Sequence, residues 1–147
     1  MMKLFSTNSS WGLFALRVML GLVIFPHGAQ KLLGWFGGYG FEGTMFYFID
    51  TIGLPLILGY AVILLETLGA VLLVIGFCTR IVSIGYIFLA IGIIFTTHIQ
   101  NGFFLNWFGQ QAGEGYEYFL LWIGMAVALA VSGAGRYSID RVIARIR

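Results

Sequence analysis

Apolar residues fall into four long runs, near 12–33, 55–77, 81–99 and 116–134, divided by short polar or glycine-rich breaks. Each run approaches or reaches the roughly 20 residues that an α-helix needs to cross a bilayer. The pattern predicts an all-α membrane protein, a four-transmembrane-helix bundle over 1–134 followed by a basic amphipathic tail at 135–147. The first run is too long for a cleaved signal peptide, Arg17 interrupts it, and no small-residue cleavage pattern follows. Trp11 marks its start, where interfacial aromatics are expected.

The breaks carry their own information. After Lys31 comes LGWFGGYGFEGTMFYFIDTIG, rich in glycine and aromatics and poor in charge. It reads as a long loop with a short helix, lying in the outer interface between the first and second helices. Pro55 then sits in the first turn of the second helix. The connection GFCTR is so short that the second and third helices must be antiparallel neighbours. Gly69, Gly76, Gly85 and Gly92 offer places for close helix contact. In the tail RYSIDRVIARIR, Ser138 can cap a helix with Asp140 in its first turn. Ile139 and Ile143 share one face and Arg141 and Arg145 another, which suits a helix lying on an anionic lipid surface.

Composition strengthens the membrane reading. Of 147 residues, 60% are hydrophobic and 10% charged, whereas a soluble domain carries about a quarter charged residues. The lipid bilayer is therefore the first partner. The charges orient the chain. Lys3, Arg80, Arg136, Arg141, Arg145 and Arg147 lie on one side, while the other side offers Lys31 beside Glu42, Asp50 and Glu114. By the positive-inside rule both termini are cytoplasmic. The net charge of +2 is mostly tail and gives no reason to expect nucleic acid. Cys78 is the single cysteine, so internal dithiol exchange has no support and a packing role is expected.

Ionisable residues within a membrane are costly and are functional candidates by default. Glu66, near the middle of the second run, must be protonated or paired with a cation. His27 lies about five residues beyond the middle of the first helix, roughly 7–8 Å at 1.5 Å per residue. Side chains lean toward their own helix N-terminus, so His27 and Glu66 lean toward each other. His27 is thus the favoured neighbour, and Glu66 and His27 are the candidate catalytic pair, Glu66 accepting or relaying a proton while His27 and Lys31 hydrogen-bond a ligand's carbonyl oxygens; the other reading of Glu66 is a structural strut bonded to another helix. Arg17 either snorkels to the inner interface or bridges to Glu66. In FPHGAQK, Pro26 frees the carbonyl of Leu22 and Gly28 loosens the same turn. The stretch reads as a bent helix end that aims His27, Gln30 and Lys31 into the bundle. His98 and Glu117 end and begin the third and fourth helices. With Glu66 they are expected to complete one polar, outward-opening pocket. His27 and His98 could together ligate haem, but no cofactor motif accompanies them and their depths differ, and no metal-ligand motif occurs in the sequence.

Three segments resemble the DoxX family of small integral membrane proteins. RVMLGLVIFPHGAQKLLGWFGGYGFEGTMFYF is similar to its first helix and loop, and ETLGAVLLVIGFCTRIVSIG to its second-to-third helix segment. EYFLLWIGMAVALAVSGAGRYSID is similar to its fourth helix and closing motif. The shared elements are HG-x-QK, E-x-x-G and G-x-G-x-x-S-x-D. The resemblance implies a multi-pass protein of the bacterial or archaeal cytoplasmic (inner) membrane, from a family linked to quinone-dependent sulfur oxidation, catechol or quinone stress and oxidative-stress complexes. It carries over His27, Gln30, Lys31 and Glu66 as functional positions, and more loosely Arg17 and Arg80 as structural or charge-pairing ones. No flavin, nicotinamide, iron–sulfur or dithiol motif is present. The chain is thus at most a subunit of a quinone-linked oxidoreductase, with quinone as ligand and a redox partner protein as electron source. A non-enzymatic transporter or binding protein for lipid-soluble molecules, with a proton-linked Glu66, is the alternative. Homo-oligomerisation is left open.

Overall fold

A computed structural model describes residues 2–146. Arg147 and the side chain of Lys3, both used above to orient the chain, lie outside the described residues. Everything regular in the described residues is helical. After a short α1 (Met2–Phe5) comes α2 (Trp11–Leu33), then α3 (Gly40–Phe46), α4 (Leu56–Ile75), α5 (Thr79–Asn101), α6 (Glu117–Ser132) and α7 (Ile139–Ile146). Helices α2, α4 and α5 are long and apolar enough to cross a membrane, while α6 is shorter at 16 residues.

The ends of these helices are set by local chemistry. Ser10 caps α2 by accepting from Leu13 N–H, and Gly34 closes it at φ 72°, a left-handed conformation that glycine adopts without a Cβ penalty. Pro26 does not end the helix, which runs on to Leu33. Pro55 occupies the cap position of α4, its carbonyl accepting from Leu58 and Gly59. Gly76 ends α4 at φ 71°, and a Cβ there would also lie 2.4 Å from Ser138 Cβ. The cap of α5 comes from far along the chain. The Asp140 carboxylate accepts from Cys78 N–H at 2.8 Å and from Thr79 N–H at 2.9 Å. Ser138 in turn caps α7 through Arg141 N–H.

Helices in lipid gain little from hydrophobic exclusion and associate by close packing, which favours small residues at contacts. Gly21 and Gly28 serve this purpose between α2 and α4. An added Cβ would lie 2.8 Å from Ala70 O at Gly21 and 2.5 Å from the Glu66 carbonyl at Gly28. Of the glycines expected to do so, Gly69 and Gly85 take part in the α4–α5 contact, against Val82 and Leu65. Gly76 is instead a turn, and Gly92 touches nothing within 4 Å. The core lies low in the bundle, where Leu20, Ile24, Leu73, Tyr86, Trp122 and Leu129 meet. Tyr86 and Trp122 pack edge to face there, 5.6 Å between centroids.

The connection from α2 to α4 contains the short helix expected of it. It holds α3 and a π-helical turn, Tyr47–Thr51, and builds a second small core from Met45, Phe48 and Ile63. Two further π turns interrupt the long helices, Leu65–Gly69 in α4 and Ile94–His98 in α5.

Candidate functional site

The three π turns border one cavity. Each inserts a residue into a helical turn, a distortion that often marks functional sites. Tyr47 and Phe48 line the cavity from the first, Leu65 and Glu66 from the second, Thr96 and Thr97 from the third. Its volume is about 400 Å³, within the range typical of small-molecule pockets, about 300–1,000 Å³. The walls are overwhelmingly apolar, from Leu54, Leu58, Val62, Phe88, Leu89 and Ile93 among others.

One ion pair stands at the polar end. Lys31 Nζ meets Glu66 Oε2 at 2.5 Å, and that oxygen has no other partner among the described residues. The Glu66 residue is 2% exposed. Its position is fixed by backbone contact, because Gly28 lets α2 approach within reach of the Glu66 peptide. The Lys31 ammonium also leans back along α2 to the carbonyl of His27 at 3.4 Å. Thr96 and Thr97 donate their hydroxyls to Gly92 and Ile93 carbonyls of their own helix. They therefore present only acceptor oxygens to the cavity.

This corrects the expected neighbourhood of Glu66. Its partner is Lys31, not His27. Gly28 occupies the position facing Glu66, and His27, one residue earlier, is turned by about 100°. His27 is exposed, and its side chain makes no hydrogen bond or ion pair among the described residues. The long lysine stem, leaning toward the helix N-terminus, reaches what a short imidazole cannot. The pocket is also apolar rather than polar. Gln30 and His27 do not line it, nor do His98 and Glu117. Gln30 donates to Phe36 O and holds the turn after α2. His98 bonds the carbonyl of Glu114 at 2.8 Å and rests on Phe119. Glu117 accepts from Leu105 N–H, so it braces the 102–116 connection.

Arg17 neither snorkels nor bridges to Glu66. It is fully buried, and its guanidinium donates to five carbonyls: Ala134, Leu73, Val74, Arg136 and Tyr137. Two of these lie in the last turn of α4, where Leu73 O also accepts from Gly76 N–H. Arg80 does the same for α6, donating to Ala130 and Val131, and reaches Ser6 O as well. Both arginines thus bind carbonyls, not acids. The Asp140 cap belongs to the same latch and was not foreseen, because it joins residues 61 and 62 positions apart. Near it, burial first and then the Asp140 charge push the Cys78 thiol up.

Comparison with known proteins identifies a family and two relatives. The DoxX family model matches residues 12–99. A protein of Bacillus subtilis (strain 168) named "Putative oxidoreductase CatD" is 33% identical over 121 residues, covering 82% of this chain and 80% of that protein. "Inner membrane protein YphA" of Escherichia coli (strain K12) is 26% identical over 132 residues, 85% of each chain. No solved structure matches.

Proposed function

This chain belongs to the DoxX family, and from that premise we propose that it binds a quinone or a similar small hydrophobic molecule in the cavity that ends on Lys31 and Glu66. The observation that carries the reading is a buried ion pair at the end of an otherwise apolar cavity of about 400 Å³. Lys31 donates a hydrogen bond to a carbonyl oxygen of the ligand, and Glu66 holds or passes a proton beside it. The setting is an inner membrane, as in the relative of that name. The bundle spans it four times, with α6 as the fourth span and both termini on the cytoplasmic side. The Bacillus subtilis relative carries the name "Putative oxidoreductase CatD", which supports a redox-linked role. Electrons would come from a partner protein, since no redox-cofactor motif occurs in the chain.

A transporter would need a second opening at the end where the termini meet. There Arg17, Arg80 and Asp140 tie the segments together, which favours binding over passage. The test is titration of purified protein with quinone in lipid nanodiscs. Saturable binding that falls at least about tenfold in Lys31→Met and in Glu66→Gln, with both variants folded, is expected. No binding by the unaltered protein, or proton-driven uptake into sealed vesicles that Glu66→Gln abolishes, would replace this reading with the transport one.

A further inference from the structure

We infer that the cavity is filled sideways from the lipid, through a fork between α4 and α5, by an amphiphile with a neutral, carbonyl-bearing head and an apolar chain. The inference rests on the proposed binding reading and adds the ligand's shape and its route. Low in the bundle α4 and α5 touch. At Gly85 an added Cβ would lie 3.1 Å from the Leu65 side chain, and at Gly69 one would lie 3.4 Å from Val82 and 3.5 Å from the Tyr86 hydroxyl. Higher up the contact ends. Leu58 on α4 and Phe88 and Gly92 on α5 line the cavity and yet are exposed, Leu58 by 48% and Phe88 by 70%. No atom lies within 4 Å of where a Cβ on Gly92 would be. The same residues therefore form the cavity wall and the surface of the spanning helices. A cavity wall that is also a lipid-facing surface is a mouth opening into hydrocarbon.

The chemistry of the polar end selects the head. Lys31 and Glu66 together carry no net charge, whichever of them holds the proton. An anionic head would set a negative charge beside the buried Glu66 carboxylate, where repulsion is stronger than in bulk water. Thr96 and Thr97 have spent their hydroxyl protons on their own helix. The Lys31 ammonium is thus the principal donor, and an acceptor-bearing neutral head is what it can hold. The apolar wall from Phe88 past Gly92 then leaves the chain where it already prefers to be, in the acyl region.

Gly92 gives a clean test, because a side chain there fills the mouth without meeting the fold. The probes are 2,3-dimethoxy-5-methyl-1,4-benzoquinone, which has no chain, and its 6-decyl derivative. Each is titrated into the protein in nanodiscs, unaltered and as Gly92→Phe. Gly92→Phe is expected to keep its unfolding midpoint and to weaken binding of the decyl probe at least about tenfold more than binding of the chainless probe. Equal effects on the two probes, or none on either, overturn the lateral route while leaving the binding reading in place. Failure of the unaltered protein to bind either probe overturns both. A decyl chain ending in a diazirine gives an independent measurement that needs no substitution. Crosslinks to residues 84–96 support the fork, and crosslinks confined to 34–54 overturn it.

Discussion

At the end of the bundle where the termini meet, five carbonyls converge on the buried Arg17 guanidinium, and the Asp140 carboxylate takes two backbone N–H groups. Midway along α4 Glu66 is just as buried, but its Oε2 has one partner among the described residues, a lysine side chain that is itself 25% exposed. The arginine bridges α2 to the last turn of α4 and to the 134–137 segment, while Glu66 and Lys31 bridge only α2 and α4. A buried charge whose every donor is used is rigid and has nothing left to offer a ligand. A buried pair with a single contact, facing an apolar cavity, keeps capacity in reserve. On the binding proposed above, the contrast puts stability where the termini meet and binding at the Lys31–Glu66 pair, and it can be broken experimentally.

The largest effect should come from Arg17→Ala. It removes the side-chain donor of the Val74, Ala134, Arg136 and Tyr137 carbonyls and one of the two donors to Leu73 O, in a largely buried site. Removing a buried charged partner costs about 3–5 kcal/mol, read as reversible unfolding in mixed micelles. Arg17→Lys should recover only part, since three donors on a point charge cannot reach a five-fold fan of acceptors. Whatever fraction remains folded should bind ligand with unchanged affinity. A stable Arg17→Ala protein that has lost binding would reverse the assignment of the two regions.

Gly28→Ala comes next and strikes where the two regions are coupled through α2. Its Cβ would fall 2.5 Å from the Glu66 peptide, so α2 and α4 must separate. Overpacking of this kind costs about 1–3 kcal/mol, and it moves Lys31 relative to Glu66. Stability and affinity should therefore fall together. Affinity retained at full strength would mean that the ion pair is not held by the Gly28 contact.

The pair itself should matter less to folding than to binding. In a cycle of Lys31→Met, Glu66→Gln and the double variant, a coupling of about 0.5–2 kcal/mol in stability is expected. That lies well below the Arg17 effect, because Lys31 alone can turn toward the interface. Both single variants should lose affinity. A coupling as large as the cost of Arg17→Ala would make Lys31–Glu66 a second structural strut and remove the contrast.

How much of this was legible follows from which interactions are local. The apolar runs and the GFCTR turn are local signals, and they place three helices long enough to cross a membrane and the antiparallel α4–α5 pair. The Ser138 cap on α7 is local as well. The cap on α5 is not, since nothing near Thr79 announces an acid arriving from position 140. The π turns leave no compositional trace, so the cavity they border was invisible. Depth along a helix follows from counting residues, and rotation about it from the positions that recur on one stripe. Arg17, Gly21, Ile24 and Gly28 recur at helical spacing and are all buried. That stripe was readable in the sequence. It would have turned Arg17 inward and shown that Gly28, and not His27, faces Glu66.

The smallest expected effect concerns Cys78, at the latch and outside the spans. Burial and the nearby Asp140 carboxylate both raise its thiol. A raised thiol holds its proton to higher pH, so alkylation by a maleimide should be slow at neutral pH and accelerate only in alkaline solution. Asp140→Asn removes the negative charge and weakens the cap on Cys78 and Thr79 N–H. The thiol should then move down and the rate at fixed pH rise by about two- to tenfold, with a stability loss near 1 kcal/mol typical of a lost cap. A membrane-impermeant reagent adds the topology. If the latch is cytoplasmic, inverted vesicles label and right-side-out vesicles do not. Labelling in the opposite sense would place the latch outside and turn the cavity toward the cytoplasmic leaflet, while Lys31 and Glu66 kept the geometry on which binding depends.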